Sequence, residues 1–340
     1  MANLQKSTKS SQGSKKFKLT YNMVLVLICI VLFVGFGLLR SNFFSVRYIV
    51  DVLKMAVEIG LMALPITALV IMGCIDFSMC AALCLTAVVG GLVTIETNAV
   101  LGLLAGAATG IACGCFNGLL VAVLRLPPMV TTLATMYLYK GIAEGMTLGT
   151  SVGTNVATTD VALFFGNGTV LFIPTQFWIY LILAVIFHIV LAKTPFGRTL
   201  YAIGLNEDGA KFAGIHTVRN KFIMYAAAGF VFFIAGLVFM GRFSTIQYNS
   251  ADSYLMQVII AAVLGGADMN GGRGDIRGSV LGVLIIGILK GGMNVLMLPQ
   301  TTQKIVLGLL LLISLIAFEV LNQREKKAAR AKRDIIVQTK

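Results

Sequence analysis

Ten apolar stretches, each close to the length of a membrane-crossing helix, limit what this chain can fold into more than any other feature. They cover 21–39, 55–73, 79–95, 100–124, 130–148, 176–192, 222–241, 254–268, 279–298 and 303–321. A hydrocarbon core of roughly 30 Å takes about 20 apolar residues per helical crossing. The stretches are continuously apolar, which speaks against the alternating strands of a membrane barrel. Several contain Gly or a charge, as helices that face one another in a bundle do. Only 12% of the 340 residues are charged and 58% are hydrophobic, where an ordinary soluble domain carries about 25% charged residues. A soluble globular protein is excluded, and so is a disordered chain, which needs low hydrophobicity. The expected fold is an all-α integral membrane protein, a polytopic bundle of about ten transmembrane helices, some of them broken.

Lysine and arginine set the orientation, because they gather on the cytoplasmic side of a membrane protein. With the N-terminus inside, twenty of the 27 fall on inner segments: residues 1–20, Arg125, the loop 193–221, Arg273 and Arg277, and residues 322–340. Arg40, Arg47, Lys54 and Arg242 fall outside, Lys304 at a boundary, and Lys140 and Lys290 within helices. Both termini are therefore expected in the cytoplasm, which requires an even number of crossings. Residues 1–20 and 322–340 read as basic cytoplasmic tails around a single membrane domain, 21–321. The net charge of +13 then belongs to topology and to anionic membrane lipid, not to nucleic acid. A cleavable secretory signal has a shorter apolar core and a small-residue cleavage site, so Tyr21–Leu39 reads as an uncleaved first helix. The six cysteines all lie in apolar stretches, where a free thiol behaves as a small hydrophobe. Neither a disulfide nor a metal site is expected.

No catalytic set can be assembled. The chain has no G-x-x-x-x-G-K-[ST], H-E-x-x-H or G-x-S-x-G, no C-x-x-C, and only two histidines, His188 and His216. In the Gly-rich stretch 271–278, Arg277 occupies the third glycine position of a dinucleotide fingerprint.

Several local patterns carry information. Gly102, Gly106, Gly110, Gly114 and Gly118 recur every four residues and share one helix face, where a second backbone can come close. They read as a packing seam, or as a helix at the bundle centre beside a path, with the Asn117 amide near its inner end. Gly73-Cys74-Ile75-Asp76-Phe77-Ser78 interrupts two apolar stretches. It is either a tight cytoplasmic turn or a break within the bundle, with Asp76 or Ser78 capping the next helix. Residues 265–274 hold five glycines in a compact reversal, where Asp268 or Asn270 can satisfy free peptide donors. Gly274, Gly278 and Gly282 then offer a second close-packing face. In the inner loop, Asn206 followed by Glu207 and Asp208 is a helix start, and Gly214 a stop. A short cytoplasmic helix over 206–213 is expected, either docking on a partner or serving as a solvated linker. Lys140 and Glu144 can pair four residues apart, and Lys290 can snorkel to the helix end.

These motifs, taken in order, resemble the permease subunits of bacterial ABC importers for ribose, other monosaccharides and autoinducer-2. The resemblance rests on Gly-Cys-Ile-Asp-Phe-Ser (73–78), Phe-Asn-Gly (116–118), Leu-Pro-Pro with Thr131-Thr132-Leu133 (126–133), Phe-Gly-Arg through Ala-Gly-Ile (196–215), and Leu-Gly-Gly-Ala through Gly-Gly-Arg-Gly (264–274). The stretch 250–272 and the Leu-Pro-Gln turn at 298–300 look closest to the autoinducer-2 type. Gly209 stands where the family usually has Ala, Cys74 where a second Gly is common, and Lys140 where Arg is frequent.

The resemblance implies a bacterial cytoplasmic-membrane permease and a set of partners: an ABC ATPase, a second permease as homo- or heterodimer, and an extracytoplasmic substrate-binding protein. ATP and Mg would be bound by the ATPase, and no cofactor by this chain. Residues 206–215 would be the coupling helix seated on the ATPase, with Gly197, Arg198, Asn206, Glu207, Ala210, Gly214 and Ile215 carrying the motif. Asp76, Asn117, Thr131, Thr132 and Asn294, polar residues on or between apolar helices, are the candidates to line the path. The alternatives are an ion-coupled secondary transporter, using carboxylates such as Asp76, Glu144 or Asp268, and an intramembrane aspartyl enzyme.

Overall fold

The computed structural model describes residues 21–153, 163–314 and 316. The tails 1–20 and 322–340 lie outside the described residues. Each of the ten apolar stretches holds a helix among the described residues. The helices are α1 (Tyr21–Leu39), α2 (Val46–Ile71), α3 (Met79–Glu96), α4 (Ala99–Gly118), α5 (Pro128–Thr147), α6 (Thr175–Lys193), α7 (Pro195–Leu205), α8 (Glu207–Phe212), α9 (Thr217–Phe243), α10 (Leu255–Leu264), α11 (Ile276–Val295) and α12 (Gln300–Ser314). Among the described residues seven are long and apolar enough to span a membrane. The helix α5 has the length, but its four threonines, Lys140 and Glu144 make it more polar, and α10 and α12 are shorter. Two short antiparallel pairings lie in the loops: Val152–Gly153 with Thr245–Ile246, and Thr169–Val170 with Ile173–Pro174. This is the all-α polytopic membrane protein expected.

Several helix ends differ from the apolar limits, each for a local reason. The helix α2 starts at Val46 rather than 55, because the Ser45 hydroxyl accepts from Tyr48 N at 3.4 Å and opens a polar first turn with Arg47 and Asp51. Pro128 at the first turn of α5 costs no hydrogen bond there. The helix α4 runs on through a π turn, Leu119–Val123, and stops at Arg125, whose φ is 57°.

The centre of the bundle is α2. Its residues Ala56 to Ile71 are buried throughout, and it packs on α6, α9, α10 and α11. On its other flank α3 meets α4, α5 and α9. The outermost of these helices is α1, which is largely exposed and leans on α11; its Tyr21 hydroxyl donates to Leu264 O at 2.7 Å.

Between apolar helices in lipid there is little hydrophobic drive, so association depends on close van der Waals contact. The glycine seam of α4 supplies it. A Cβ at Gly110 would stand 2.6 Å from Gly229 O on α9, and one at Gly114 would strike Tyr225 O. One at Gly106 would meet the Phe233 ring at 2.9 Å. Gly102 turns toward α3, against Thr94 and Gly90 O, and Gly118 toward Phe222. The second seam is equally tight: a Cβ on Gly278 would overlap Gly265 O, and one on Gly282 would overlap Ala261 O.

Replacing Gly114 by Leu should therefore separate α4 from α9 and cost at least the 1–3 kcal/mol typical of overpacking. Gly141→Ala on α5, where a Cβ meets nothing within 4 Å, should be neutral or stabilising by up to about 1 kcal/mol. Thermal unfolding of the two variants in detergent separates them.

Candidate functional site

The sequence motifs fall in two places, a buried polar cluster at the α2–α3 break and the loop of α7 and α8. The helix α2 ends at Ile71, and Gly73, with a φ of +79°, turns the chain. Gly73 N then reaches Val70 O at 2.8 Å and Cys74 N reaches Leu69 O at 2.9 Å. Asp76 folds back over the start of α3, where its Oδ1 accepts from Ser78 N at 2.7 Å and from Ser78 Oγ at 2.6 Å. Asp76 is 1% exposed, so the segment is packed within protein.

Helices α4 and α5 close the cluster. Asn117 Nδ2 donates to Ser78 Oγ at 2.8 Å and reaches Asp76 Oδ2 at 3.4 Å. Tyr139 OH lies 3.0 Å from Asn117 Oδ1 and 2.9 Å from Cys113 O, and its single proton serves the two. Thr132 Oγ1 accepts from Phe77 N at 3.1 Å and lies 3.3 Å from Ile75 O and 2.9 Å from Pro128 O. All five side chains are buried. The cluster is built for hydrogen bonding and fixes an unwound segment to two helices.

Of the five path candidates, Asp76, Asn117 and Thr132 meet here and the other two do not. Thr131 is buried beside them but bonds within its own helix, to Pro127 O at 2.8 Å. Asn294 lies near the end of α11, where its Oδ1 accepts from Gln303 Nε2 of α12 at 3.0 Å. Tyr139 was missed by the sequence reading. Its signal is the spacing of seven from Thr132, two helical turns along one face.

A second polar group gathers around Glu58, in the middle of α2, which the sequence reading passed over. This carboxylate is 1% exposed; it accepts from Arg242 Nε at 2.6 Å and from the Tyr254 hydroxyl at 2.7 Å. Lys290 Nζ sits 4.1 Å over the Tyr254 ring, so it binds inside the bundle instead of snorkelling out. Lys140 pairs with Asp252 at 2.7 Å, not with Glu144. The turn before α10 brings that carboxylate within reach, and Glu144 stays exposed on α5.

The loop of α7 and α8 folds as its signals require. Asn206 Oδ1 accepts from Gly209 N at 2.9 Å, α8 follows, and Gly214 at φ +81° ends it, with Ile215 N on Ala210 O at 3.0 Å. Gly197 is buried in the first turn of α7 against Val190 O and Leu191 O, and Arg198 is exposed. Ala210 is buried against the bundle, whereas Leu205 is 68% and Phe212 93% exposed. Glu207 bridges to Lys221 of α9 at 2.5 Å and to Lys211 at 3.3 Å. Partial burial works to raise the Glu207 pKa, but the hydrogen bonds and charges of Lys221 and Lys211 outweigh it and hold the carboxyl below its usual value.

Residues 48–315 match the family described as the permease component of the branched-chain amino acid transport system. The chain is 36% identical over 299 residues to the ribose import permease protein RbsC of Bacillus subtilis, covering 88% of this chain and 91% of that one. It is 28% identical over 310 residues to the autoinducer 2 import system permease protein LsrD of Klebsiella pneumoniae, with 88% and 91% covered. It is 31% identical over 329 residues to the L-arabinose transport system permease protein AraH of Escherichia coli, with 94% and 98% covered. No solved structure matches the chain. The chain belongs to this family of membrane transport permeases.

Removing the Asn117 side chain leaves several buried groups without a partner, at about 1–3 kcal/mol for each. Asn117→Ala should therefore lower thermal stability in detergent by much more than Thr131→Val or Asn294→Ala, whose residues stand outside the cluster.

Proposed function

We propose that the chain is the permease subunit of an ATP-driven ABC importer. It carries a monosaccharide or related small polyol, of the ribose or autoinducer-2 kind, inward across the bacterial cytoplasmic membrane. The observation that carries this reading is the α7–α8 loop, where Leu205 at the end of α7 and Phe212 at the end of the capped helix α8 turn outward. Two large apolar side chains this exposed on a short polar loop fit a partner surface better than water. The relatives' names, ribose import and autoinducer 2 import among them, support the substrate class.

Both termini and the α7–α8 loop lie in the cytoplasm in this reading, on the Lys/Arg asymmetry. The partner at α8 is an ABC ATPase that binds ATP and Mg. A second permease, identical or related, completes the membrane part, and a substrate-binding protein delivers the solute from outside. Closure of the ATPase on ATP pushes α8, and the two permeases switch access from outside to inside. Asp76, Asn117 and Thr132 hold the bundle beside the path, with Thr131 next to them and Asn294 toward its outer end. A neutral solute suits a bundle whose Glu58, Lys140 and Lys290 are engaged with partners in the protein.

Purification of the tagged chain from its native membrane in mild detergent tests the assembly. A stoichiometric P-loop ATPase is expected to accompany it, and a second permease where the pair is a heterodimer. A chain that purifies without ATPase, yet still drives uptake from an ion gradient, overturns the proposal.

Two variants test the docking. Deleting 206–215 should abolish uptake while leaving the protein in the membrane. Phe212→Ala should lower the yield of co-purified ATPase roughly tenfold or more, as loss of a central aromatic anchor does at an interface. Full ATP-dependent uptake by the deletion would show that docking lies elsewhere.

A further inference from the structure

We propose that the break Gly73–Ser78 passes the movement of α8 to α5, with Thr132 as the positioning residue that receives it. This rests on the reading of α8 as the docking element for an ATPase.

The helix α8 is joined to α7 through Asn206 and to α9 through the Glu207–Lys221 pair. Both routes lead to the same short segment. At the end of α7, Gly204 packs backbone to backbone, so that a Cβ there would strike Ile71 O and lie 2.5 Å from Gly272 N. A Cβ on Gly271 would lie 2.8 Å from Gly204 O and 3.0 Å from Gly73 Cα. Gly272 N donates to Ile71 O at 2.7 Å, and the Tyr201 hydroxyl of α7 donates to Gly274 O at 2.8 Å. Three interruptions of the chain therefore meet backbone to backbone at Gly204 and Gly271: the end of α2, the end of α7 and the Gly-rich reversal before α11. Packed backbone transmits a displacement instead of absorbing it. By the second route, Lys221 belongs to α9, whose Tyr225 is buried in the same core as Cys74 of the break.

The break has one direct grip on α5, through Thr132, which takes the Phe77 peptide proton at 3.1 Å and lies 3.3 Å from Ile75 O. Asn117 and Tyr139 add an indirect one through Asp76 and Ser78. The opposite face of α5 is open. A Cβ at Gly141 or Gly145 meets nothing within 4 Å, and Tyr137 is 71% exposed. Farther along, α5 is held by Lys140–Asp252, a partly exposed pair, and such pairs are individually weak. Of the helices touching the break, α5 is the one with room to move.

The test uses the complete transporter, with its ATPase and binding protein, in vesicles. Thr132→Val keeps the shape and removes the hydroxyl. It is expected to assemble and hydrolyse ATP at nearly the normal rate, while solute imported per ATP falls roughly tenfold, within the range of known coupling energies. Thr132→Ser should restore the ratio. Spin labels at Tyr137 on α5 and Ile182 on α6 should show a distance change on ATP binding in the parent, and that change should vanish in Thr132→Val. An unchanged ratio, or hydrolysis and uptake falling together with the distance change intact, overturns the proposal. Should Thr132→Val fail to assemble, Tyr201→Phe decides the matter: it loosens the α7 junction by one hydroxyl, and a normal import ratio there overturns the proposal too. A parent chain that recruits no ATPase would instead overturn the function proposed above.

Discussion

A peptide group in hydrocarbon has no water to turn to, so irregular backbone at membrane depth survives only where protein satisfies it. This constraint organises the bundle. The chain interrupts its helices at 72–78 and again at 265–275, and the two interruptions are set against each other. Gly272 N caps the end of α2 at Ile71 O, Asp268 N closes the reversal on Arg273 O at 3.1 Å, and Asn270 N turns to Asp268 Oδ1 at 2.9 Å. Asp76 covers the start of α3 in the same way. The second break caps the first through Gly272 N, and each closes the rest of its own peptide groups locally, so α2 and the reversal between α10 and α11 share a junction.

Glycine makes that junction possible and also sets the helix spacing elsewhere. Where a carbonyl of one helix lies in the space that a Cβ of the next would fill, as Gly229 O does against Gly110, the contact is backbone on backbone. The conformational freedom of glycine counts as a cost inside a helix, about 1 kcal/mol against Ala. Here the return is contact that bulky side chains cannot supply in a solvent as apolar as they are. The same residue type on α5, at Gly141 and Gly145, faces open space, which marks that helix as different from the packed core.

The architecture was legible because membrane helices are written in long, one-letter-class runs. The Gly seam, the Asn206 start and the Gly214 stop were equally readable, since each acts through its nearest neighbours in sequence. The path candidates were chosen as polar residues on apolar helices, and that criterion knows nothing of distance. It brought together Asp76, Asn117 and Thr132, which meet in space, but also Asn294, which sits near the other end of its helix. The pairing of Lys140 with Asp252 across 112 positions and the burial of Glu58 against Arg242 and Tyr254 depend on how helices far apart in the chain come together. A spacing rule of four residues pointed Lys140 to Glu144 because it sees only one helix.

The two polar groups differ in kind, and the difference fits transport of an uncharged solute. Near Asp76 the partners are hydroxyls, an amide and backbone, and the contacts beside it are glycine on glycine. Near Glu58 they are ions. Burying a charge pair gains little net stability after desolvation, yet breaking one costs about 3–5 kcal/mol. Such a pair acts as a clamp, and it holds α2, α9 and the turn before α10 in one arrangement. A carrier driven by an ion gradient would have to offer a carboxylate to the passing ion and release it again. Glu58 is committed to a guanidinium and a phenol, Asp252 to Lys140, and Asp76 to Ser78 and Asn117. These carboxylates are tied into the scaffold, while Glu144 stays exposed on α5; in the function proposed above, the energy for movement enters at α8.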